Sequence, residues 1–223
     1  MKFSKTSLKD AMVIDLVRNE DSRGFFARSF CETEFAEAGL ETRYVQQNHS
    51  YNRAKGTVRG MHFQRAPHGE VKLVRCLKGG IVDIIIDIRA DSPTYLKWEA
   101  FELTEENGRT LYVPVGFAHG FQTIADETHV LYSVSHPYTP GVEGGIRHDD
   151  PAIGIDWPLP VAVISEILGV PESERANVLR MGGHAAASLD LGIDWSTFRT
   201  VDGALDEEVG EAAGAGADLP HDD

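Results

Sequence analysis

The sequence predicts an all-β domain, a jelly-roll barrel with a few short peripheral helices. Three observations carry that expectation. From Tyr44 to Tyr138 the chain is a succession of β-type runs, spaced at roughly 8 to 12 residues as antiparallel strands joined by short turns are. The runs are rich in Val, Ile, Phe and Tyr and are broken by Gly, Pro, Asp and Asn, the residues that favour pleated surfaces and turns respectively. No long pattern of helical period separates them, which removes the crossover helices a parallel α/β sheet needs.

The elements follow in chain order. "AMVIDLVRN" reads as a short amphipathic strand, "EDSRG" as a turn and "FFARSF" as a second strand. "CETEFAEAGL" has apolar residues at helical spacing and ends at Gly39, so a short helix is expected there. Eight runs come next: "TRYVQQNHS", "GTVRGMHFQ", "VKLVRCLKG", "GIVDIIIDIR", "WEAFELT", "RTLYVPVGF", "HGFQTIA" and "HVLYSVSHPY". Beyond Pro151 the pattern weakens, and "VAVISEILGVPESERANVLRMGG" has room for one or two short helices packed on the barrel. A single domain over residues 1–180 is expected, with an Ala/Gly-rich acidic tail over 181–223. Asp202 to Asp223 holds eight acidic residues and no Lys or Arg, so −6 of the net −14 belongs to the preceding chain. With almost nothing to bury, that tail reads as a disordered, solubilising extension.

Composition narrows the function. At 223 residues, 42% hydrophobic and 25% charged, the chain suits one large globular domain. No apolar run approaches the roughly 18 residues that span a bilayer, and the opening segment has no signal-type apolar stretch. Cys31 and Cys76 are too far apart for a CxxC site and suit a reducing compartment as buried small groups. A cytoplasmic location is expected. The acidic body argues against general nucleic-acid binding, while a local cluster of Arg and Lys can still hold an anionic small ligand.

Strand period then sorts the polar residues. His62 and Gln64 share one face of "RGMHFQ", with Met61 and Phe63 on the other. Lys72 falls with Val74 and Cys76, and Asp83 with Ile85 and Asp87. Facing inward together, His62, Lys72 and Asp83 give the barrel a base, a cation and a carboxylate, which are costly to bury without a role. Taken singly, His62, Lys72 and Tyr132 each have a plainer reading: a core histidine, a solvated lysine and a half-buried tyrosine.

The order of "DSRGFFARSF", "VQQNHSYNRAKGTVRGMHFQ", "VKLVR", "VPVGFAHGF", "LYSVSHPY" and "EGGIRHDDPAIGIDWP" closely resembles the dTDP-4-dehydrorhamnose 3,5-epimerases over about Ile14 to Pro158. The resemblance implies a cupin-type jelly roll and an isomerase that inverts carbons beside the C4 ketone of a nucleotide-linked 4-keto-6-deoxy sugar. Such a reaction needs a base, a stabiliser of the developing oxyanion and an acid on the opposite face. By resemblance these are His62, Lys72 and Tyr132. His119 contacts the sugar, with Gln64 and Asp83 in the same pocket. Arg23 and Arg59 suit the diphosphate, because guanidinium pairs phosphate oxygens through two hydrogen bonds. Gln46, Asn48, Tyr138 and Glu143 match positions that contact the nucleotide or close the site, and Phe26 packs on the pyrimidine. The resemblance implies no metal and no cofactor. It implies a homodimer with exchanged N-terminal strands, so that Arg23 and Phe26 serve the neighbour's site.

The chain departs from the family's pattern at one place. Relatives carry Ser-x-Lys/Arg-Asp after the "WP", the aspartate orienting the catalytic histidine. Here Ser165 and Glu166 are followed by Ile167 and Leu168. An apolar side chain cannot accept the imidazole N–H, which leaves Asp83 or Glu166 as replacement carboxylates. His148 also stands where tryptophan is usual. Two alternatives therefore stay open beside epimerisation at C3, C5 or both. One is a related enzyme on a GDP- or CDP-linked sugar, or a ketoisomerase. The other is a non-catalytic sugar-nucleotide binder.

Overall fold

The computed structural model describes residues 1–164 of the chain. Two antiparallel sheets face each other as a jelly roll. The first has the order β1 (Lys2–Lys5), β2 (Met12–Asp15), β10 (Thr110–Val113), β7 (Lys72–Lys78), β12 (Thr128–Val134), β5 (Gln46–Asn52). The second runs β13 (Glu143–Gly145), β6 (Thr57–Gln64), β11 (Phe117–Thr123), β8 (Gly80–Asp87), β9 (Trp98–Thr104). A separate hairpin, β3 (Arg18–Asp21) and β4 (Gly24–Ala27), stands off the body. The helix α1 covers Glu32–Glu37, and β14 (Val163–Ile164) adds to β6 in parallel.

Three apolar layers hold the sandwich. Between the sheets, Val74, Cys76, Leu111 and Val130 of the first meet Ile81, Ile85, Leu103, Phe117 and Phe121 of the second. The back of the second sheet buries Met61, Phe63, Ile84 and Ile86 against Ile146, Ile153 and Trp157. On the back of the first, Ile14, Leu73 and Tyr112 pack on Phe35 of α1. The second sheet is thus covered on both faces, which is why β8 reads as a nearly continuous apolar run. Its exceptions are Asp83 and Asp87, both fully buried. Asp87 is answered locally: Arg89, Ser92 and Thr94 all donate to its carboxylate at 2.5 to 3.1 Å.

Several sequence expectations shift in detail. "AMVIDLVRN" is two strands, β2 and β3. "FFARSF" is strand only as far as Ala27, the helix spans six residues, and β1 was not foreseen. "RTLYVPVGF" breaks at Pro114, which cannot donate to a ladder, so its ends belong to different sheets. Val163 and Ile164 are strand, whereas the sequence pattern suggested helix from Val161 onward. Cys31 is half-buried, unlike the buried Cys76. The remainder of the expected helical segment, residues 165–180, and the tail over 181–223 lie outside the described residues.

Candidate active site

Period 2 alone would set Arg59 and His62 on opposite faces of β6, since they are three residues apart. The register resolves this. His62 pairs with His119 and Arg59 with Phe121, so two residues of β6, Gly60 and Met61, oppose the single Gly120 of β11. This bulge re-aims the strand and lets both side chains line one cavity. It needs glycine on both strands. Gly60 has φ +131°, and a Cβ there would lie 2.4 Å from the Gly120 Cα. A Cβ on Gly120 would lie 2.6 Å from Met61 Sδ and 2.7 Å from the Arg59 carbonyl oxygen.

The cavity occupies about 570 Å³ between the sheets, within the roughly 300–1,000 Å³ usual for small-molecule sites. His62 and His119 enter from β6 and β11 of one sheet; Lys72 and Tyr132 enter from β7 and β12 of the other. An imidazole and a phenol therefore hang from opposite walls.

Burial and neighbouring charge set the protonation states. Burial, then repulsion from Lys72, His119 and Arg59, pushes the His62 imidazole down to about 4. No carboxylate among the described residues enters that balance. Asp83, one of the two candidate replacements for the orienting aspartate, is committed elsewhere: its Oδ1 lies 2.7 Å from His119 Nε2. Its Oδ2 is buried without a partner among the described residues. Asp83 thus stands behind His119 and does not itself line the cavity, a correction to its expected place among the substrate contacts. Leu168 and Glu166 lie outside the described residues. The Tyr132 phenol is raised above its ordinary range, first by burial and then by the charge of Glu70, with Arg59 opposing.

Toward the mouth, Gln46 donates to Asn48 Oδ1 at 2.9 Å and accepts from the Tyr138 backbone N–H. The Tyr138 hydroxyl donates to Glu143, which holds that carboxyl below its usual range and raises the phenol. Arg59, which lines the cavity, donates through Nε to Asn52 Oδ1 at 2.6 Å and through Nη2 to the Tyr51 carbonyl oxygen at 3.5 Å. Gln64 bridges the rim, accepting from Thr139 N–H and donating to Glu70.

Of the residues singled out from the sequence, His62, Lys72, Tyr132, Gln46, Asn48, Arg59, Gln64, His119, Tyr138 and Glu143 all line this cavity. Arg23 and Phe26 do not. They sit on the β3–β4 hairpin, Arg23 paired with Asp21 and Phe26 76% exposed. Glu70, Ser50, Phe63, Phe121 and Val134 also line the cavity and were not foreseen. Glu70 had a readable signal, two residues before Lys72. No group of three or more His, Cys, Asp or Glu among the described residues is placed to hold a metal ion, and no described helix is long and apolar enough to cross a membrane.

Comparison with known proteins agrees with this geometry. The family model for dTDP-4-dehydrorhamnose 3,5-epimerase matches residues 5–168. A dTDP-4-dehydrorhamnose 3,5-epimerase of Sinorhizobium fredii is 43% identical over 74% of this chain and 86% of its own. The crystal structure of the Bacillus anthracis enzyme with TDP and PPi bound superposes with a TM-score of 0.72 at 36% identity, covering 78% of this chain and 96% of that one. An epimerase from Legionella pneumophila in complex with dTDP-4-keto-L-rhamnose gives 0.69 at 36% identity, covering 74% and 87%. With the family model matching residues 5–168 and a relative 43% identical, the chain belongs to the dTDP-4-dehydrorhamnose 3,5-epimerase family.

Proposed function

We propose that this protein is an isomerase that epimerises a dTDP-linked 4-keto-6-deoxy sugar at the carbons flanking its ketone. One observation carries the reading: His62 and Tyr132 project into the cavity from opposite sheets. Inversion at carbon requires that a proton leave one face and return on the other, and a single residue cannot serve both faces.

In this reading neutral His62 takes the C–H proton. The bonding pair moves into the ring and the C4 oxygen becomes an enolate oxygen, held by the Lys72 ammonium. Tyr132 gives its phenolic proton to the opposite face of the carbon, the carbonyl re-forms, and solvent exchanges the protons of imidazolium and tyrosinate. His119, oriented by Asp83, holds the sugar. Arg59 receives the diphosphate, while Gln46, Asn48, Tyr138 and Glu143 meet the nucleoside. A second copy of the chain supplies Arg23 and Phe26 from its hairpin; Phe25 and Phe26 are 53% and 76% exposed on an arm that packs on little of its own body. The protein works as a cytoplasmic homodimer.

The test is solvent exchange. In D₂O, His62→Ala is expected to lose deuterium incorporation into the sugar ring while nucleotide binding persists. Unchanged exchange in that variant sinks the assignment of the base.

A further inference from the structure

The segment His68 to Glu70 leads into β7, and Glu70 precedes Lys72 by two residues, on the same face of the chain. Its carboxylate is held on both sides. Oε1 lies 3.1 Å from Lys72 Nζ, and Oε2 accepts from Gln64 Nε2 at 3.0 Å. Gln64 is itself fixed by the His68 and Pro137 carbonyls and by the Thr139 N–H. Side-chain exposures of 9% for Lys72 and 11% for Glu70 make the pair nearly dry. A nearly dry ion pair is weak evidence for stability, because desolvation offsets the attraction. Its geometry has another use.

An ammonium on a four-carbon stem is a flexible point charge with three donors. Anchoring one donor on Glu70 leaves two for an oxygen in the cavity. The other charged and titratable groups around it are His62 and Arg59 on β6, His119 on β11 and Tyr132 on β12. The remaining carboxylates are engaged elsewhere, Asp83 by His119 and Glu143 by Tyr138. Along the chain into β7 the order is Glu70, Lys72 and then Val74, which pairs with Tyr132. Glu70, Lys72 and Tyr132 line the same cavity, where the Glu70 charge opposes ionisation of the phenol.

We propose that Glu70 is a positioning residue for the reaction, pinning the Lys72 ammonium at one point and placing a negative charge in the cavity that Tyr132 shares, so that the phenol keeps its proton until the enolate forms. This rests on the epimerase reading and deepens it: Glu70 serves the oxyanion and the returning proton, not the removal of the first one.

The experiment compares wild type with Glu70→Gln, which keeps the shape and removes the charge, and Glu70→Asp, which keeps the charge. Two readouts are taken. The first is the pH profile of epimerisation. Loss of the charge should move its basic limb down by about one pH unit, a roughly tenfold loss at the alkaline end, with E70D returning the limb toward the wild-type position. A uniform drop at all pH values, with the limb unmoved, would mean a merely structural residue. The second readout needs no turnover: the ring-carbon NMR titration of Tyr132, assigned by Tyr132→Phe. Its midpoint should fall in E70Q and stay near wild type in E70D; an unmoved midpoint in E70Q overturns the proposal. Should the wild type fail to exchange the keto sugar at all, the epimerase reading fails. The Tyr132 midpoints then still decide whether Glu70 controls the phenol.

Discussion

The His62 imidazole offers the sharpest quantitative prediction. Burial and the positive groups Lys72, His119 and Arg59 bring it from 6.5 to about 4. A depression of roughly 2.5 units corresponds to about 3 kcal/mol favouring the neutral ring. At pH 7 the residue is then neutral in all but about one molecule in a thousand, as a base requires. Folding is linked to the same shift. Between about pH 6.5 and pH 4 the unfolded chain binds a proton that the folded chain does not, so stability falls as pH falls through that window, by about 3 kcal/mol in all. The perturbation is Lys72→Met, which removes the largest of the repelling charges and should raise the His62 midpoint. The assay is ring-carbon NMR of labelled histidine, with His62→Asn identifying the resonance, alongside urea unfolding at several pH values. Wild type should titrate near 4, and H62N should lose part of the acid-side slope in stability. A wild-type midpoint at or above 6.5 refutes the electrostatic reasoning and implies that a carboxylate reaches His62, while no upward move in K72M refutes the part assigned to Lys72 and leaves burial as the cause.

Other consequences follow from the same geometry. Tyr132→Phe keeps the base and removes the returning proton, so deuterium should still enter the substrate while inverted product falls by about 10² to 10⁴; equal loss of both in an NMR time course contradicts the division of labour. Gly120→Ala forces a Cβ to within 2.9 Å of Met61 Sδ, the Arg59 carbonyl oxygen and the Gly60 Cα. It should cost about 1–3 kcal/mol by urea unfolding and depress the rate further by displacing His62; a neutral effect would show that the bulge is loosely packed. Burial raises the Asp87 carboxyl, but hydrogen bonds from Arg89, Ser92 and Thr94 outweigh it and hold it below 3.8. Its contribution is therefore present above its unfolded value near pH 3.9 and lost as pH falls through the folded one. Asp87→Asn removes the charge that Arg89, Ser92 and Thr94 donate to while Arg89 keeps Asp10, so it should destabilise by about 1–3 kcal/mol at pH 7, with wild-type unfolding free energies at neutral pH as the comparison. Phe26→Asp on the hairpin should shift sedimentation toward monomer and weaken nucleotide binding; an unchanged dimer with unchanged affinity removes Phe26 from the neighbour's site.

Much of this was legible in the sequence because the signals are local. Alternation along "RGMHFQ", "VKLVRC" and "GIVDIIIDI" put His62, Lys72 and Asp83 on inward faces, and spaced turn residues marked the strands. What was not legible depends on register between distant strands. Arg59 reaches the His62 side only because β6 carries one more residue than β11 at Gly60–Met61. Asp83 serves His119 and not His62 because β8 and β11 pair with Phe121 opposite Asp83, which no spacing within β8 reveals. The split of "RTLYVPVGF" turned on a single proline whose effect on a strand depends on whether that strand lies at an edge. Glu70 was overlooked although its two-residue offset from Lys72 placed it, because it lies in a loop where polar residues ordinarily face water.

Epimerisation is read directly by proton NMR of dTDP-4-keto-6-deoxyglucose incubated with the protein in D₂O. Deuterium is expected at carbons flanking the ketone together with a new ring configuration, both abolished in H62A. Binding of the nucleotide sugar with no exchange at either carbon would contradict the epimerase reading and leave the cavity a binding site without its chemistry.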